Sequence, residues 1–413
     1  MRRRDFLCAG TALAVTGPWR ARAAASEARV VIAGGGFAGA CCALQLRRLN
    51  PRLHVTLIDP DQRYVTCPMS NAVLVDLRDL ASITLTRAAL ERAGVRFVRD
   101  RVNVIDATRR RVRLQSGGRL PYERLVVAPG IRLVYGQPQG YDEAAAQHLP
   151  HAWQAGTQTE LLARQLHAVR DGGTVALSVP AGLMRCPPGP YERATLIAWW
   201  LSTHRSRCKV LIFDSNNHFP RQDVFTAAWA DRYPGMIEWI ASTEGGAVTR
   251  VAARSRTLYS ASGAHTVAVA NVIPPQAPGR LAADAGLAHG HGWCPVRAAT
   301  FESELVERVH VIGDACIAGA MPKAASAARS QALRCAAAIV AELGGGPAPA
   351  SELSSVCYSL LGPTSALAIR ARFTDAGGTI EPDASGAAQA EPPGPADDAS
   401  QWYRQIRADC FGA

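Results

Sequence analysis

Arg29-Val30-Val31-Ile32-Ala33-Gly34-Gly35-Gly36-Phe37-Ala38-Gly39 opens the folded part of this chain. The run 29–33 is short, apolar and β-branched, the pattern of a parallel strand buried on both faces. Gly34-x-Gly36-x-x-Gly39 follows at once, and then a helical stretch from Ala40 to Arg48 that stops before Asn50-Pro51. A second strand, His54 to Ile58, closes on Asp59, 20 residues past Gly39. The whole reads as a βαβ unit. Gly34 permits the tight turn, Gly36 lets a pyrophosphate approach the backbone, and Gly39 lets helix and strand pack closely. The helix N-terminus offers N–H groups and a positive dipole end to the phosphates. Asp59 stands where a carboxylate would accept hydrogen bonds from an adenosine ribose. The glycine pattern alone is weak; its position between strand and helix, with the distant acid, carries the reading.

Short strands are expected at 95–98, 111–114 and 124–127. An amphipathic helix is expected over 160–170, with Leu162, Leu166 and Val169 on one face. Thr174 to Val179 and Lys209 to Phe213 start a second α/β unit. There the strand runs into Pro180-Ala181-Gly182-Leu183-Met184-Arg185 with no glycine-rich phosphate turn, so no bound nicotinamide nucleotide is expected. His310-Val311-Ile312 leads to Gly313-Asp314 and a helix from about Ala324 to Leu343. Residues 375–400 are rich in Gly, Pro, Ala and Asp and read as a loop or wrap-around segment, followed by a short helix over 401–409.

The 413 residues exceed one ordinary core, so two or three domains are expected. Of the formal charge of +11, residues 1–26 carry five Arg against one Asp, the rest is mildly basic, and no Lys/Arg run alternates with aromatics. That excludes a nucleic-acid-binding reading and leaves solubility or partner docking. Arg2-Arg3-Arg4 before Asp5-Phe6-Leu7, a short apolar run and Ala21-Arg22-Ala23-Ala24-Ala25-Ser26 read as a targeting segment over 1–26. The paired arginines resemble a twin-arginine signal, whose alternatives are another secretory signal or a basic tail. A periplasmic protein is expected, with no membrane insertion, since no run reaches 18 apolar residues. Eleven cysteines suit an oxidising compartment. No CxxC occurs, so neither a zinc pattern nor a c-type haem attachment site is present in the sequence.

Val126-Val127-Ala128-Pro129-Gly130 resembles the second flavin motif of flavoproteins with two dinucleotide-binding domains. Val311-Ile312-Gly313-Asp314 resembles their late strand–Gly–Asp motif, which holds the ribityl and phosphate region. Together the three motifs point to FAD. Further segments resemble the flavoprotein subunit of flavocytochrome c sulfide dehydrogenase, a relative of the sulfide:quinone oxidoreductases. They are Tyr64-Val65-Thr66-Cys67-Pro68-Met69-Ser70-Asn71, Arg185-Cys186-Pro187-Pro188-Gly189-Pro190-Tyr191-Glu192-Arg193, Ile273-Pro274-Pro275-Gln276, Gly292-Trp293-Cys294-Pro295-Val296, Met321-Pro322-Lys323 and Cys357-Tyr358-Ser359.

The resemblance implies an α/β fold: two Rossmann-like, glutathione-reductase-type domains and a small C-terminal α+β domain facing the flavin. The boundaries drawn from it are 27–150 and 271–345 for the two parts of the FAD domain, 151–270 for the second Rossmann-like domain, and 346–413 for the C-terminal one. It further implies that Cys67, otherwise a plain loop cysteine, bonds the 8α-methyl of FAD. Cys186 and Cys357, 171 positions apart, become a redox-active disulfide that takes sulfide as a persulfide and relays two electrons to the flavin. Read from the residues alone, that pair could equally be a structural disulfide or two buried thiols. Lys323 would stabilise the anionic reduced flavin, or simply be a solvated lysine at a helix start. Glu192 is read as a first-turn acid favouring the helix dipole, Trp199 and Trp200 as core, and Cys41 and Cys42 as small core residues. His289 and His291 lack a third ligand and read as loop. Seven cysteines remain beyond Cys8, Cys67, Cys186 and Cys357, so at least one thiol is free. The acceptor implied is a separate c-type cytochrome. A quinone acceptor, or a non-catalytic flavin-binding relay subunit, are the alternatives.

Overall fold

A computed structural model of the chain describes residues 28–290, 292–345, 352–383 and 389–412. The targeting segment 1–26, His291 and parts of the 346–413 region lie outside the described residues.

Arg29–Ala33 is a fully parallel central strand, buried from Val30 onward. It lies in a five-stranded sheet of order Val309–Val311, Arg124–Val127, Arg29–Ala33, His54–Asp59, Arg96–Arg99. Every pairing is parallel, so the apolar runs face helices on both sides. The helix Phe37–Leu49 starts directly after the glycine loop and ends at Asn50, ahead of Pro51. Arg47 and Arg48 in its last turn complement the dipole. Helices Ala325–Val340 and Ala396–Phe411 both pack against it.

The second unit holds a four-stranded parallel sheet, Ile237–Ile240, Lys209–Asp214, Thr174–Val179, Val269–Val272. The boundary drawn at 270 falls inside its last strand and moves past 272, because Val269–Val272 pairs with Thr174–Val179. The helix expected over 160–170 runs from Thr157 to His167, with Leu162 and Leu166 buried and Val169 buried just beyond its end.

The strand expected at 95–98 forms one residue later, Arg96–Arg99, and joins the first sheet with Arg124–Val127. Arg111–Leu114 instead centres a separate antiparallel trio with Val102–Asp106 and Arg119–Pro121.

The C-terminal region corrects the sequence reading. Ser365–Ala376 is a 12-residue strand at the centre of an antiparallel sheet, pairing Leu353–Leu360, Thr379–Pro382, Gln389–Ala390 and Gly394–Pro395. The supposed loop therefore carries strand pairing at both ends. The last helix spans Ala396–Phe411 rather than 401–409. Pro395 sets its start, Asp397 and Asp398 fill the first turn, and Gly412 ends it at φ +68°. Its pattern hides in sequence because the buried Ala399, Tyr403, Ile406, Cys410 and Phe411 are mostly small or polar-tipped.

Candidate functional site

The glycine loop has the shape a phosphate needs. Gly34 sits at φ +107°, and a Cβ there would lie 2.2 Å from the Ala128 carbonyl oxygen. A Cβ on Gly39 would lie 1.9 Å from the Gly34 oxygen. Gly313 has φ +78°; its N–H donates to Gln331 Oε1 at 2.7 Å, and an added Cβ would press on Ala38 at 2.9 Å. Gly130 also occupies the left-handed region, at φ +63°. Gly34, Gly39, Ala128 and Gly313 come from three segments and close on the start of the helix Phe37–Leu49. That start has no side-chain cap and no acid in its first turn. An uncapped helix end beside Gly34, Gly39 and Gly313, each of which leaves no room for a Cβ, fits a dinucleotide pyrophosphate.

Asp59 closes the loop from the side. One carboxylate oxygen accepts from Gly35 N–H at 2.6 Å and the other from Asp61 N–H at 2.9 Å. Arg87, 2% exposed, faces the same carboxylate at 3.4 Å and donates to the Gly35 carbonyl. Burial lowers the Arg87 pKa, against Asp59, Tyr64 and Asp61, which support its charge. No sequence signal marked Arg87, because it comes from outside the βαβ unit.

Cys186 and Cys357 both reach the segment that follows Gly313-Asp314. Cys186 lies on the loop before the helix Gly189–His204, at φ +52°. Its N–H donates to the Lys323 carbonyl at 2.8 Å. Cys357 comes from the strand Leu353–Leu360, with Ser326 Oγ 3.7 Å and Ser355 Oγ 3.9 Å from its sulfur. Ser326 is in the first turn of the helix Ala325–Val340. The two cysteines thus hold positions three residues apart on one segment, Cys186 on Lys323 and Cys357 on Ser326. Burial pushes both thiols up; for Cys186 the nearby Cys357 and Glu192 add to it. Both sulfurs are free in this structure.

Cys67 sits in the turn before Ser70–Val73, its carbonyl held by Ser70 N–H at 3.0 Å and Ser70 Oγ–H at 2.7 Å. Thr66 Oγ1 and the Tyr403 hydroxyl are 2.7 Å apart, tying this turn to the last helix. Asn71 joins the turn to the Cys186 helix. It donates to Glu192 Oε2 at 2.8 Å and to the Gly189 carbonyl at 3.2 Å, and accepts from Arg193 Nε at 2.9 Å.

Glu192 does more than favour a dipole. It lies in the first helical turn, but its other oxygen accepts from Leu360 N–H at 2.9 Å, on the strand of Cys357. Burial raises its carboxyl pKa. Arg185 was also passed over in the sequence. Burial opposes its charge, yet Cys67, Asp314, Tyr64 and Cys186 outweigh that and raise its pKa. Asp314 is pushed up by burial, with Arg185 and Lys323 pulling the other way.

Lys323 is 8% exposed. Its ammonium donates to the carbonyls of Asp314 at 2.9 Å and Cys316 at 2.8 Å, and lies 3.7 Å from the Trp293 ring centroid. It is therefore a bracket for the Asp314 turn rather than a solvated lysine. Trp200, Cys41 and Cys42 are buried core residues, and Trp199 packs against the core. Among the described residues no cluster could hold a metal ion.

The second unit has a different end to its first strand. The loop after Val179 carries Arg185 and Cys186 into the site instead of forming a phosphate turn. Asp214, ending the next strand, is fully buried, and its carboxylate accepts from the Tyr191 hydroxyl at 2.6 Å, Trp239 Nε1 at 2.9 Å and Asn216 N–H at 2.9 Å.

Residues 159–274 match the family described as sulfide dehydrogenase (flavocytochrome c) flavoprotein chain, central, and residues 28–173 match the pyridine nucleotide-disulphide oxidoreductase family. The chain is 58% identical over 45 residues, 11% of its length, to the sulfide dehydrogenase (flavocytochrome c) flavoprotein chain of Chlorobaculum thiosulfatiphilum, covering 94% of that sequence. It is 29% identical over 182 residues, 44% of its length, to the sulfide-quinone reductase of Aquifex aeolicus, spanning 41% of that protein. The crystal structure of the Aquifex aeolicus sulfide:quinone oxidoreductase superposes with a TM-score of 0.75 at 19% identity, over 94% of this chain and 93% of that one. That likeness shows the fold.

Proposed function

Since the chain belongs to the family of sulfide dehydrogenase flavoprotein chains, a family of sulfide-oxidising flavoproteins related to the sulfide-quinone reductases, we propose that it binds FAD and oxidises sulfide through Cys186 and Cys357, handing the electrons to a separate c-type cytochrome. One observation carries this reading: two cysteines 171 positions apart both reach the short segment after Gly313-Asp314, Cys186 through its N–H on the Lys323 carbonyl at 2.8 Å and Cys357 through its sulfur, 3.7 Å from Ser326 Oγ.

In the oxidised enzyme Cys186 and Cys357 form a disulfide. Hydrosulfide attacks the Cys186 sulfur, forming one S–S bond and breaking the other, which leaves a Cys186 persulfide and a Cys357 thiolate. The positive end of the helix Ala325–Val340, with the Ser326 and Ser355 hydroxyls, favours that thiolate. Re-formation of the disulfide releases zero-valent sulfur, one proton and two electrons. Bound FAD supplies the two-electron acceptor for this step. Glu192, raised by burial and fixed by Asn71 and Leu360, holds the proton. Gly34, Gly36, Gly39, Ala128, Gly130, Gly313 and Asp314 would line the cofactor, Asp59 would steady its loop, and Cys67 would bond the ring.

Asp214 is occupied by Tyr191, Trp239 and Asn216, which supports an acceptor other than a nicotinamide nucleotide. The apolar residues of the last helix, Tyr403, Ile406 and Phe411, are buried against the protein itself, which favours a soluble cytochrome over a quinone. No described helix is long and apolar enough to cross a membrane. Export to the periplasm through the twin-arginine route completes the proposal.

Anaerobic titration of the holoenzyme with sulfide, followed by addition of cytochrome c, tests it. Sulfide should bleach the flavin and the haem should then reduce. Cys186→Ser and Cys357→Ser should keep the flavin and slow bleaching by about 10³-fold or more; bleaching at the wild-type rate in either variant would overturn the mechanism. Acid-precipitated wild type should stay yellow, and Cys67→Ser should release its flavin to the supernatant. Release from both would exclude the thioether.

A further inference from the structure

Two buried donors beside the Cys186 loop have no acceptor among the described residues. Trp153 is 6% exposed, and its indole Nε1–H meets no partner. The Nε2 amide of Gln276 is likewise buried and unpartnered. A buried donor without an acceptor is destabilising, so such groups in a folded protein point to something the chain itself does not supply.

Arg185 draws the two together. Its backbone N–H donates to Gln276 Oε1 at 2.9 Å, and its guanidinium donates to the Trp153 carbonyl. The next residue is Cys186. A Cβ on Gly189 would lie 2.9 Å from Trp153 Cη2 and 3.1 Å from the Cys186 sulfur, so the indole edge and the sulfur close on one point. The indole is held from several sides. The Trp153 N–H donates to His151 Nδ1 at 2.9 Å, and the Arg193 guanidinium lies 5.0 Å from the ring centroid. Gln276 is fixed by its strand, Gln276–Pro278, which pairs with Ile131–Leu133 directly after Gly130. Glu192, one helical turn beyond Gly189, has its oxygens engaged elsewhere, one by Asn71 and the other by Leu360 N–H. The missing acceptor therefore comes from outside the chain. Met184 and Tyr191 share the core cluster of Trp153, with Cys186 packed against it. Two neutral donors and a guanidinium against that apolar wall suit a small, soft, weakly hydrated anion.

We propose that Trp153, Gln276 and Arg185 form the subsite that holds hydrosulfide for its attack on Cys186. The indole N–H and the amide N–H donate to the anionic sulfur, and the guanidinium balances its charge. Nothing is transferred in this step, which concentrates and aims the nucleophile. The identity of the anion rests on the sulfide reading; the subsite itself rests on the two unpartnered donors.

The test pairs sulfide with thiocyanate, a soft anion that does not reduce the flavin. Calorimetric titration of the holoenzyme should show thiocyanate binding, and thiocyanate should compete with sulfide in anaerobic flavin reduction. Trp153→Phe keeps an aromatic ring and removes the N–H. Gln276→Glu keeps the acceptor for the Arg185 N–H and replaces the donor by a charge. Each should weaken thiocyanate binding and raise the half-saturating sulfide concentration about tenfold or more, with the limiting rate of flavin reduction changed less than about threefold. Cys186→Ser should bind thiocyanate as the wild type does. Bleaching of Cys186→Ser at the wild-type rate would overturn the sulfide reading, and with it hydrosulfide attack on Cys186 as the purpose of the subsite. No thiocyanate binding by wild type, or wild-type affinity in both Trp153→Phe and Gln276→Glu, would overturn the subsite whatever sulfide does. A shifted flavin absorbance maximum in these variants with unchanged anion binding would also overturn it, by placing the donors on the cofactor.

Discussion

Asn71 touches no reacting atom, yet three parts of the site depend on its one amide. Its NH2 group donates to Glu192 and the Gly189 carbonyl, and its oxygen accepts from Arg193. Glu192 then reaches the Cys357 strand through Leu360, and Arg193 reaches the carbonyls of His151 and Ala152 and the amide oxygen of Asn271. Arg193 is buried and Glu192 half-buried, and burial lowers the Arg193 pKa to about 10 despite the nearby Glu192. Asn71→Ala leaves the buried Arg193 guanidinium and the half-buried Glu192 carboxyl each short of one hydrogen bond. Such losses cost more than an exposed bond, so a destabilisation of roughly 2–4 kcal/mol is expected in urea unfolding. A change under 1 kcal/mol would mean that water replaces the amide. Asn71 was visible in the sequence only as part of a motif. Its role depends on partners 118 to 122 positions away, and no local pattern encodes those. Arg185 and Glu192 are similar: their types are legible, their neighbours are not.

At the level of elements, the segment from Pro150 to Trp153 connects the two Rossmann-like units and is held by the Cys186 helix. His151 is 4% exposed, and its Nδ1 accepts from the Trp153 N–H at 2.9 Å. Burial, with Arg193 and Arg185 close by, lowers its pKa to about 4. The unfolded chain takes up this proton near pH 6.5, the folded chain only near pH 4. The contribution to stability is therefore whole above pH 6.5 and is lost as the pH falls to 4, by roughly 3 kcal/mol. His151→Gln, which keeps an acceptor but does not titrate, should flatten the fall of Tm across that window. An unchanged slope would place the acid sensitivity elsewhere. Elements also mark where local patterns succeed. The first strand, glycine loop and helix are contiguous, and their periodicity and turn chemistry agree, so the βαβ unit is legible. The segment 375–400 failed because its strand ends and its helix start are rich in Gly, Pro, Ala and Asp. There strand pairing with Ser365–Ala376 and docking on Phe37–Leu49 override weak local preference.

Across the whole molecule, the central sheet collects strands from 29–33 through 309–311, with a complete second sheet inserted between them. The order of motifs announced this arrangement, because three of its five strands, 29–33, 124–127 and 309–311, lead into Gly34, Gly130 and Gly313. The chain alone determined the α/β class and the dinucleotide cradle, since those follow from turn sterics and side-chain chemistry within a few residues, whereas the redox reading of Cys186 and Cys357 came from a resemblance and not from local pattern. Only the tertiary structure decided that Lys323 spends its ammonium on carbonyls, that Glu192 holds the strand of Cys357, and that the Cys186 N–H meets the Lys323 carbonyl. Those are contacts between elements distant along the chain, set by packing and burial, and local sequence carries no record of them.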